Sequence, residues 1–316
     1  MGTAQIIDGT KIAEKIKQEL KLEISDLIKE TKITPALSAI QVGDNPASRV
    51  YIKNQKASAE ELGINYNLVQ LPADVSDADV LSAIEKQNSD TTINGIILQM
   101  PLPAGINSRK IQMAIAPDKD VEGITPPNLG MLLYTGVSPA VAPCTALSVI
   151  ECLKSTGIPL KGKNCVVVGH SEIVGKPVML MLLSSLLESA TPTVCHIATV
   201  DLSGHTSRAD IIIVAVGKPG LIKADMVKEG AVVIDVGINR VTAKDAAGNP
   251  VIDEKTGKPK MKTVGDVDAE SVSKKAGFIT PVPGGVGAVT TVLLFKNLLH
   301  LWKNAQGKEG NVHKLL

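Results

Sequence analysis

The stretch Lys163–Pro177, KNCVVVGHSEIVGKP, constrains the fold of this chain more than any other. A run of β-branched and apolar residues ends at Gly169. A second glycine, Gly175, follows six positions later, where an apolar periodic segment begins (Val178, Leu180, Met181, Leu183, Leu187). That order reads as strand, tight turn and helix. Such a turn brings backbone N–H groups and the positive end of a helix up to a phosphate, with glycine where a Cβ would block the approach. A dinucleotide is the obvious ligand. The spacing departs from G-x-G-x-x-G, since Ser171 stands at the second glycine position and the last glycine comes one residue late. A plain β-turn-α connection fits the same residues.

At 316 residues the chain is long enough for two domains, each with its own core. A hydrophobic content of 44% and a charged content of 21% describe an ordinary globular protein, and a net charge of +1 argues against an electrostatic nucleic-acid binder. Aromatic residues, at 2%, are too few for base-stacking platforms, so no nucleic-acid partner is expected. Cys144, Cys152, Cys165 and Cys195 lie in apolar surroundings without C-x-x-C spacing, which reads as reduced core thiols in a cytoplasmic protein and leaves no expected metal site. The apolar runs are shorter than a membrane span needs.

Along the chain, helical and strand periods alternate. Ile12, Ile16, Leu20, Ile24, Leu27 and Ile28 give a helical stripe, residues 36–42 a strand, 47–62 a helix stopped by Gly63, 64–71 a strand, and 76–88 a helix capped by Ser76. Residues 93–100 read as a buried strand ending in Pro101-Leu102-Pro103, which places Gln99 at a carboxyl strand end, where ligands of open α/β sheets gather. The acidic run Pro117–Gly123 reads by itself as a solvated loop. A helix from about 144 to 156 leads into the glycine turn, and strand signals follow at 193–196, 211–216 and 231–236. This alternation implies parallel sheet covered on both faces, with a doubly wound nucleotide-binding domain in the middle of the chain. Residues 242–262 read as a surface insertion or hairpin, 279–287 as irregular, and 289–302 as a helix returning to the first domain.

Several of these stretches together resemble one family, the bifunctional 5,10-methylenetetrahydrofolate dehydrogenase/cyclohydrolases of one-carbon metabolism. They are Tyr51 in a helix ending Ala59-Glu60-Glu61-Leu62-Gly63, Gln99–Pro103, Pro117–Gly123, Pro143-Cys144-Thr145, Gly169–Pro177, Asp235–Asn239, Val264–Val267 and Thr280–Gly287. The resemblance implies an α/β protein of two domains. Residues 1–148 with 280–316 would form a folate-binding catalytic domain completed by the C-terminal helix, residues 149–279 a Rossmann-like NAD(P)-binding domain, and the substrate would lie in a cleft between them. A homodimer is implied. So is a two-step chemistry, in which a hydride passes from methylenetetrahydrofolate to nicotinamide and water then opens the methenyl product to 10-formyltetrahydrofolate.

By the same resemblance Tyr51 packs over the folate, residue 55 one turn later takes part in proton transfer, and Gln99 positions both. Pro101, Leu102 and Glu122 line the pterin, and Pro281, Gly284 and Gly285 belong to a loop over substrate and cofactor. Thr145, Gly169, His170, Ser171, Ile173, Gly217, Ile238 and Thr290 fall on cofactor-binding positions.

The departures from the family fall on the chemistry. The catalytic lysine position holds Gln55. Gln hydrogen-bonds but exchanges no proton near neutrality, so hydrolysis is expected to drop by about 10²- to 10⁴-fold, while hydride transfer, carried by the cofactor, is spared. Lys53 and Lys56 lie at i+2 and i+5 from Tyr51, off its helix face. The alternatives are that a neighbouring lysine or a water takes over, giving the ordinary bifunctional enzyme, or that the protein is a silent folate-binding paralogue. Glu122 replaces an aspartate that holds the pterin, and Ala146 and Ala288 replace prolines. His170 and Ile197 replace an arginine and a serine that serve the 2′-phosphate of NADP, which tilts the expectation from NADP toward NAD, with Lys176 or Arg208 as alternative phosphate partners.

Overall fold

The computed structural model describes residues 3–134, 141–243, 245, 248–254 and 256–308. These fall into two compact units. One combines residues up to Ile12 with Ser148–Val289, the other Ala13–Leu147 with Thr290 onward. Sequence reading groups residues 1–12 and 280–289 with the catalytic domain; their contacts group them instead with the nucleotide-type unit. The cause is a strand too short to show a period. β1 (Gln5–Ile6) is followed by helix α1 (Gly9–Thr31), and β1 pairs in parallel, through Gln5↔Phe278 and Ile6↔Ile279, with a strand near the other end of the chain.

The unit containing Tyr51 is built on β2 (Ala36–Val42), α2 (Pro46–Leu62), β3 (Asn65–Leu71), α3 (Asp77–Ser89) and β4 (Gly95–Leu98). Its sheet is parallel, in the order β3-β2-β4, and every residue of β2 is buried, as a central strand covered on both faces requires. One face packs Ile40, Val42, Ile96 and Leu98 against Val80 and Ile84 of α3. Ser76 and Asp79 close a reciprocal capping box at the start of α3, as the sequence predicts. β4 is shorter than the predicted 93–100 because Pro101 and Pro103 follow its end. On its open edge Ile96 bridges Asp120, so the 117–123 loop runs beside it. The short helices α4 (Ser108–Gln112) and α5 (Pro126–Met131) precede α6 (Cys144–Ser155).

The other unit carries the glycine turn. It comprises β5 (Asn164–Val168), α7 (Gly175–Leu182), β6 (Thr191–Cys195), α8 (Leu202–Thr206), β7 (Ile211–Val214), β8 (Val232–Asp235), the antiparallel hairpin β9 (Asn239–Thr242) and β10 (Met261–Val264), α9 (Ala269–Val272) and β11 (Phe278–Ile279). The six-stranded parallel sheet runs β1-β11-β8-β7-β5-β6. β6 begins two residues before the predicted 193 and includes Pro192, which is tolerated because β6 is an edge strand. α10 (Val286–Ala305) starts directly after the Pro-Gly loop, three residues ahead of its apolar signal. The four cysteines are buried and none is in a disulfide. Among the described residues no helix is long and apolar enough to cross a membrane.

Candidate active site

A polar cluster of the three-stranded unit gathers on Gln99, directly after the end of β4. In α2 the buried residues Ile52, Gln55, Ala59 and Leu62 form one stripe, so position 55 points inward while Lys53 and Lys56 are exposed. Tyr51, one helical turn before Gln55, is 54% exposed and offers its ring to solvent. Gln55 is 8% exposed, and its Oε1 accepts two hydrogen bonds, from Gln99 Nε2 at 2.8 Å and from Tyr66 Oη at 2.9 Å. Burial pushes the Tyr66 hydroxyl up, so it remains a donor. Ser48 Oγ donates to the Met100 carbonyl at 3.0 Å and ties the first turn of α2 to the strand end, ahead of the exposed Pro101 and half-buried Leu102.

A second pair of carboxamides lies in the same unit. Gln41 and Gln70 face each other across β2 and β3, and Gln70 Nε2 donates to Gln41 Oε1 at 3.2 Å. Sequence reasoning missed Tyr66, Gln41 and Gln70. The legible signal was Gln41, the single carboxamide of a buried strand; Tyr66 and Gln70 become visible only once β3 is in register on β2.

The 117–123 run is no solvated loop. Asp120 is buried and accepts from Gly123 N–H (2.9 Å), Thr125 N–H (2.8 Å) and Asn128 Nδ2 (2.9 Å). Lys119 Nζ donates to the carbonyls of Gln87, Asn88 and Asp90 at the end of α3, at 3.0, 2.6 and 2.7 Å, where a helix presents unsatisfied acceptors. Asn297 of α10, a buried amide in an apolar helix, donates to the Val121 and Ala142 carbonyls at 2.8 and 2.9 Å. Gly123 has φ 66°, and a Cβ there would meet the Ala142 backbone. This framework holds Glu122 with its Oε2 buried and without a protein hydrogen-bond partner. Burial, and then the charge of Asp120, push the Glu122 carboxyl up to about 8. Thr125 Oγ1, three residues on, is likewise buried and unpartnered.

In the six-stranded unit, Gly169 has φ 122° and its N–H bonds the Cys195 carbonyl at 2.8 Å; a Cβ would strike the Ala215 carbonyl. A Cβ on Gly175 would overlap the Gly169 carbonyl. Ser171 Oγ accepts from Val174 N–H at 3.2 Å, and His170, Ser171 and Ile173 lie exposed on the turn. The rings of His170 and His196 are 5.0 Å apart. Two buried carboxylates shape the adjoining loops. Asp266 accepts from the N–H groups of Val216 and Gly217 (2.7 and 2.9 Å) and from Asn239. Asp235 accepts from Gly237, Asp266 and Val267, and burial raises its carboxyl to about 6. Gly217 and the 59%-exposed Ile238 are thereby set at the ends of β7 and β8. The Pro281–Gly285 loop, with Gly284 at φ 98°, packs against the start of α1, where Gly9 leaves no room for a Cβ beside the Gly284 and Gly285 carbonyls. Thr145 and Thr290 group with the three-stranded unit. The glycine turn, with no space for a Cβ at either glycine and a helix start beyond it, fits a dinucleotide pyrophosphate.

Two family models cover most of the chain. The catalytic domain of tetrahydrofolate dehydrogenase/cyclohydrolase matches residues 7–122, and the NAD(P)-binding domain of the same family matches residues 143–306. The bifunctional protein FolD of Moorella thermoacetica is 48% identical over 294 residues, covering 93% of this chain and 97% of that protein. The crystal structure of FolD, a methylenetetrahydrofolate dehydrogenase/cyclohydrolase from Campylobacter jejuni, superposes with a TM-score of 0.84 at 42% identity, over 95% of this chain and 99% of that one. The Trypanosoma brucei FolD complexed with NADP and an inhibitor gives a TM-score of 0.87 at 36% identity, over 97% of this chain and 99% of that one. With both of its units matched in order, this chain belongs to the tetrahydrofolate dehydrogenase/cyclohydrolase family.

Proposed function

We propose that the protein is an NAD(P)-dependent 5,10-methylenetetrahydrofolate dehydrogenase whose cyclohydrolase step is strongly reduced. The observation that carries the second half is Gln55: a buried carboxamide whose oxygen is already committed to Gln99 and Tyr66, with Lys53 and Lys56 exposed. No proton donor or acceptor with a useful pKa occupies that position.

In this reading Tyr51 stacks on the folate beside the reacting carbon, and Gln99 and Gln55 hold its polar edge by hydrogen bonds. Pro101 and Leu102 supply apolar wall. Glu122 accepts from the pterin N–H donors, which gives its Oε2 the partner it lacks. The glycine turn with His170, Ser171 and Ile173, together with Gly217, Ile238, Thr145 and Thr290, holds the dinucleotide, and Pro281, Gly284 and Gly285 flank it. Nicotinamide, once bound, takes the hydride from the one-carbon bridge. That step asks the protein for orientation and exclusion of water, which hydrogen-bonding and apolar side chains supply without proton exchange. With no permanent cation at position 170 and the fully exposed Ile197 beyond β6, the residues present favour NAD over NADP. By analogy with the family we assign a homodimer.

The bifunctional reading is favoured by one finding, that relatives at 43–48% identity are named bifunctional. Purified protein supplied with methylenetetrahydrofolate and NAD or NADP separates the two. Reduced nicotinamide with accumulating methenyltetrahydrofolate supports the proposal, and direct passage to the formyl product supports the bifunctional enzyme. Absence of turnover with either cofactor contradicts both.

A further inference from the structure

Sequence motifs assign no role to Tyr66, yet its hydroxyl is one of two groups that hold the Gln55 side chain. Tyr66 stands on β3, an edge strand of the three-stranded sheet, opposite Leu37 of β2. Gln99 stands across β2, just past the end of β4, with its backbone N–H on the Ile40 carbonyl at 2.8 Å. Gln55 reaches both from α2. The other two carboxamides of this sheet, Gln41 and Gln70, are joined to each other.

A pair of carboxamides alone has no preferred sense, since turning both over exchanges donor and acceptor and keeps the bond. A phenol breaks that tie. Its oxygen shares a lone pair with the ring and so donates better than it accepts, and burial of Tyr66 keeps the proton in place. With Tyr66 Oη and Gln99 Nε2 donating at 2.9 and 2.8 Å, the Gln55 oxygen is committed, and its Nε2 amino group is what remains for a ligand. Lys53 and Lys56, the cations nearest in sequence, are exposed.

We propose that Tyr66 is a positioning residue: by fixing the Gln55 amide with its N–H groups toward the ligand, it makes the site select a folate ring with an acceptor at position 4 over one with a donor there. The inference rests on the folate-binding reading of this unit. The choice of acceptor follows from the reaction. As hydride leaves, positive charge spreads over N5, the one-carbon bridge and N10, and a hydrogen bond donated to either nitrogen would oppose it. The ring carbonyl oxygen at position 4 carries no such conflict. A 4-amino ring sets a donor against a donor and leaves both unpaired.

The test titrates the full chain by calorimetry at pH 8 with two probes, tetrahydrofolate and its 4-amino-4-deoxy analogue. The wild type is expected to bind the 4-oxo form more tightly by about tenfold or more. Tyr66→Phe frees the amide to turn and lowers that preference by about fivefold, the worth of one neutral hydrogen bond. Gln55→Glu satisfies Tyr66 and Gln99 as before but offers the ligand only acceptors, and it reverses the preference. A Gln55→Met/Tyr66→Phe double variant matches Gln55→Met alone, because Tyr66 acts through residue 55. Glu122 is the same in every variant, so each change in preference reports position 55. A Tyr66→Phe variant that weakens both probes alike or neither has only a structural hydroxyl, and overturns the proposal. Retention of the wild-type preference by Gln55→Glu, or additivity in the double variant, overturns it as well, while binding of tetrahydrofolate preserves the folate reading. Failure of both probes to bind the wild type overturns the two together.

Discussion

A glutamine at position 55 is a different chemical instrument from a lysine. Lysine carries three donors and can pass a proton when burial lowers its pKa; a carboxamide offers one acceptor and two donors and passes none. Here the acceptor faces two donors, Tyr66 and Gln99, so the local network suits glutamine as it stands. A lysine would require Gln99 to present its oxygen instead, which a rotation of its amide achieves. Glu122 makes a second prediction at this scale. Its carboxyl is neutral below about pH 8 in the free protein, because burial and Asp120 disfavour its charge. Pterin N–H donors favour the charged form, so folate binding expels a proton below that pH. Affinity for folate is expected to strengthen as pH rises from about 6 toward 8, by at most about tenfold per unit, and to level off above. Glu122→Gln flattens the profile. Dissociation constants across this range check it, and a profile unchanged by the substitution would contradict the assignment.

Among the elements, the ligand loops of the nucleotide-type unit hang on buried carboxylates rather than on their own sequence propensity. Asp266→Ala strips acceptors from two N–H groups and from Asn239, and is expected to cost about 3 kcal/mol. Ser76→Ala removes an exposed cap of α3 and is expected to cost about 1 kcal/mol. Shifts in denaturation midpoint at constant m-value compare the two, and equal costs would deny Asp266 its organising role. The two features differed in legibility as well. Ser76 and Asp79 lie three residues apart, and local spacing shows a cap. Asp266 reaches Val216, 50 positions back, a partnership that only the sheet order creates. The same reason hid Asn297 and the tie of Lys119 to α3, and a two-residue β1 had too few residues to carry a period.

For the molecule as a whole, strand and helix periods were enough to find the two parallel sheets, while the glycine turn alone left a plain β-turn-α connection open and pointed to a nucleotide only together with the other motifs of the chain. The candidate site was legible where it used long motifs, as at Gln99–Pro103 and Gly169–Pro177. It was illegible where neighbouring strands or a returning helix completed it, as at Tyr66, Gln41 and Asn297. The central claim, that this architecture retains hydride transfer and has given up most of its hydrolytic power through Gln55, is tested most directly by hydrolysis of supplied methenyltetrahydrofolate, compared between the wild type and Gln55→Lys. The expected result is a wild-type rate near the uncatalysed one and a gain of about 10²-fold or more in the variant, with dehydrogenase activity of the wild type intact. Rapid hydrolysis by the wild type, unchanged by the substitution, would contradict the account.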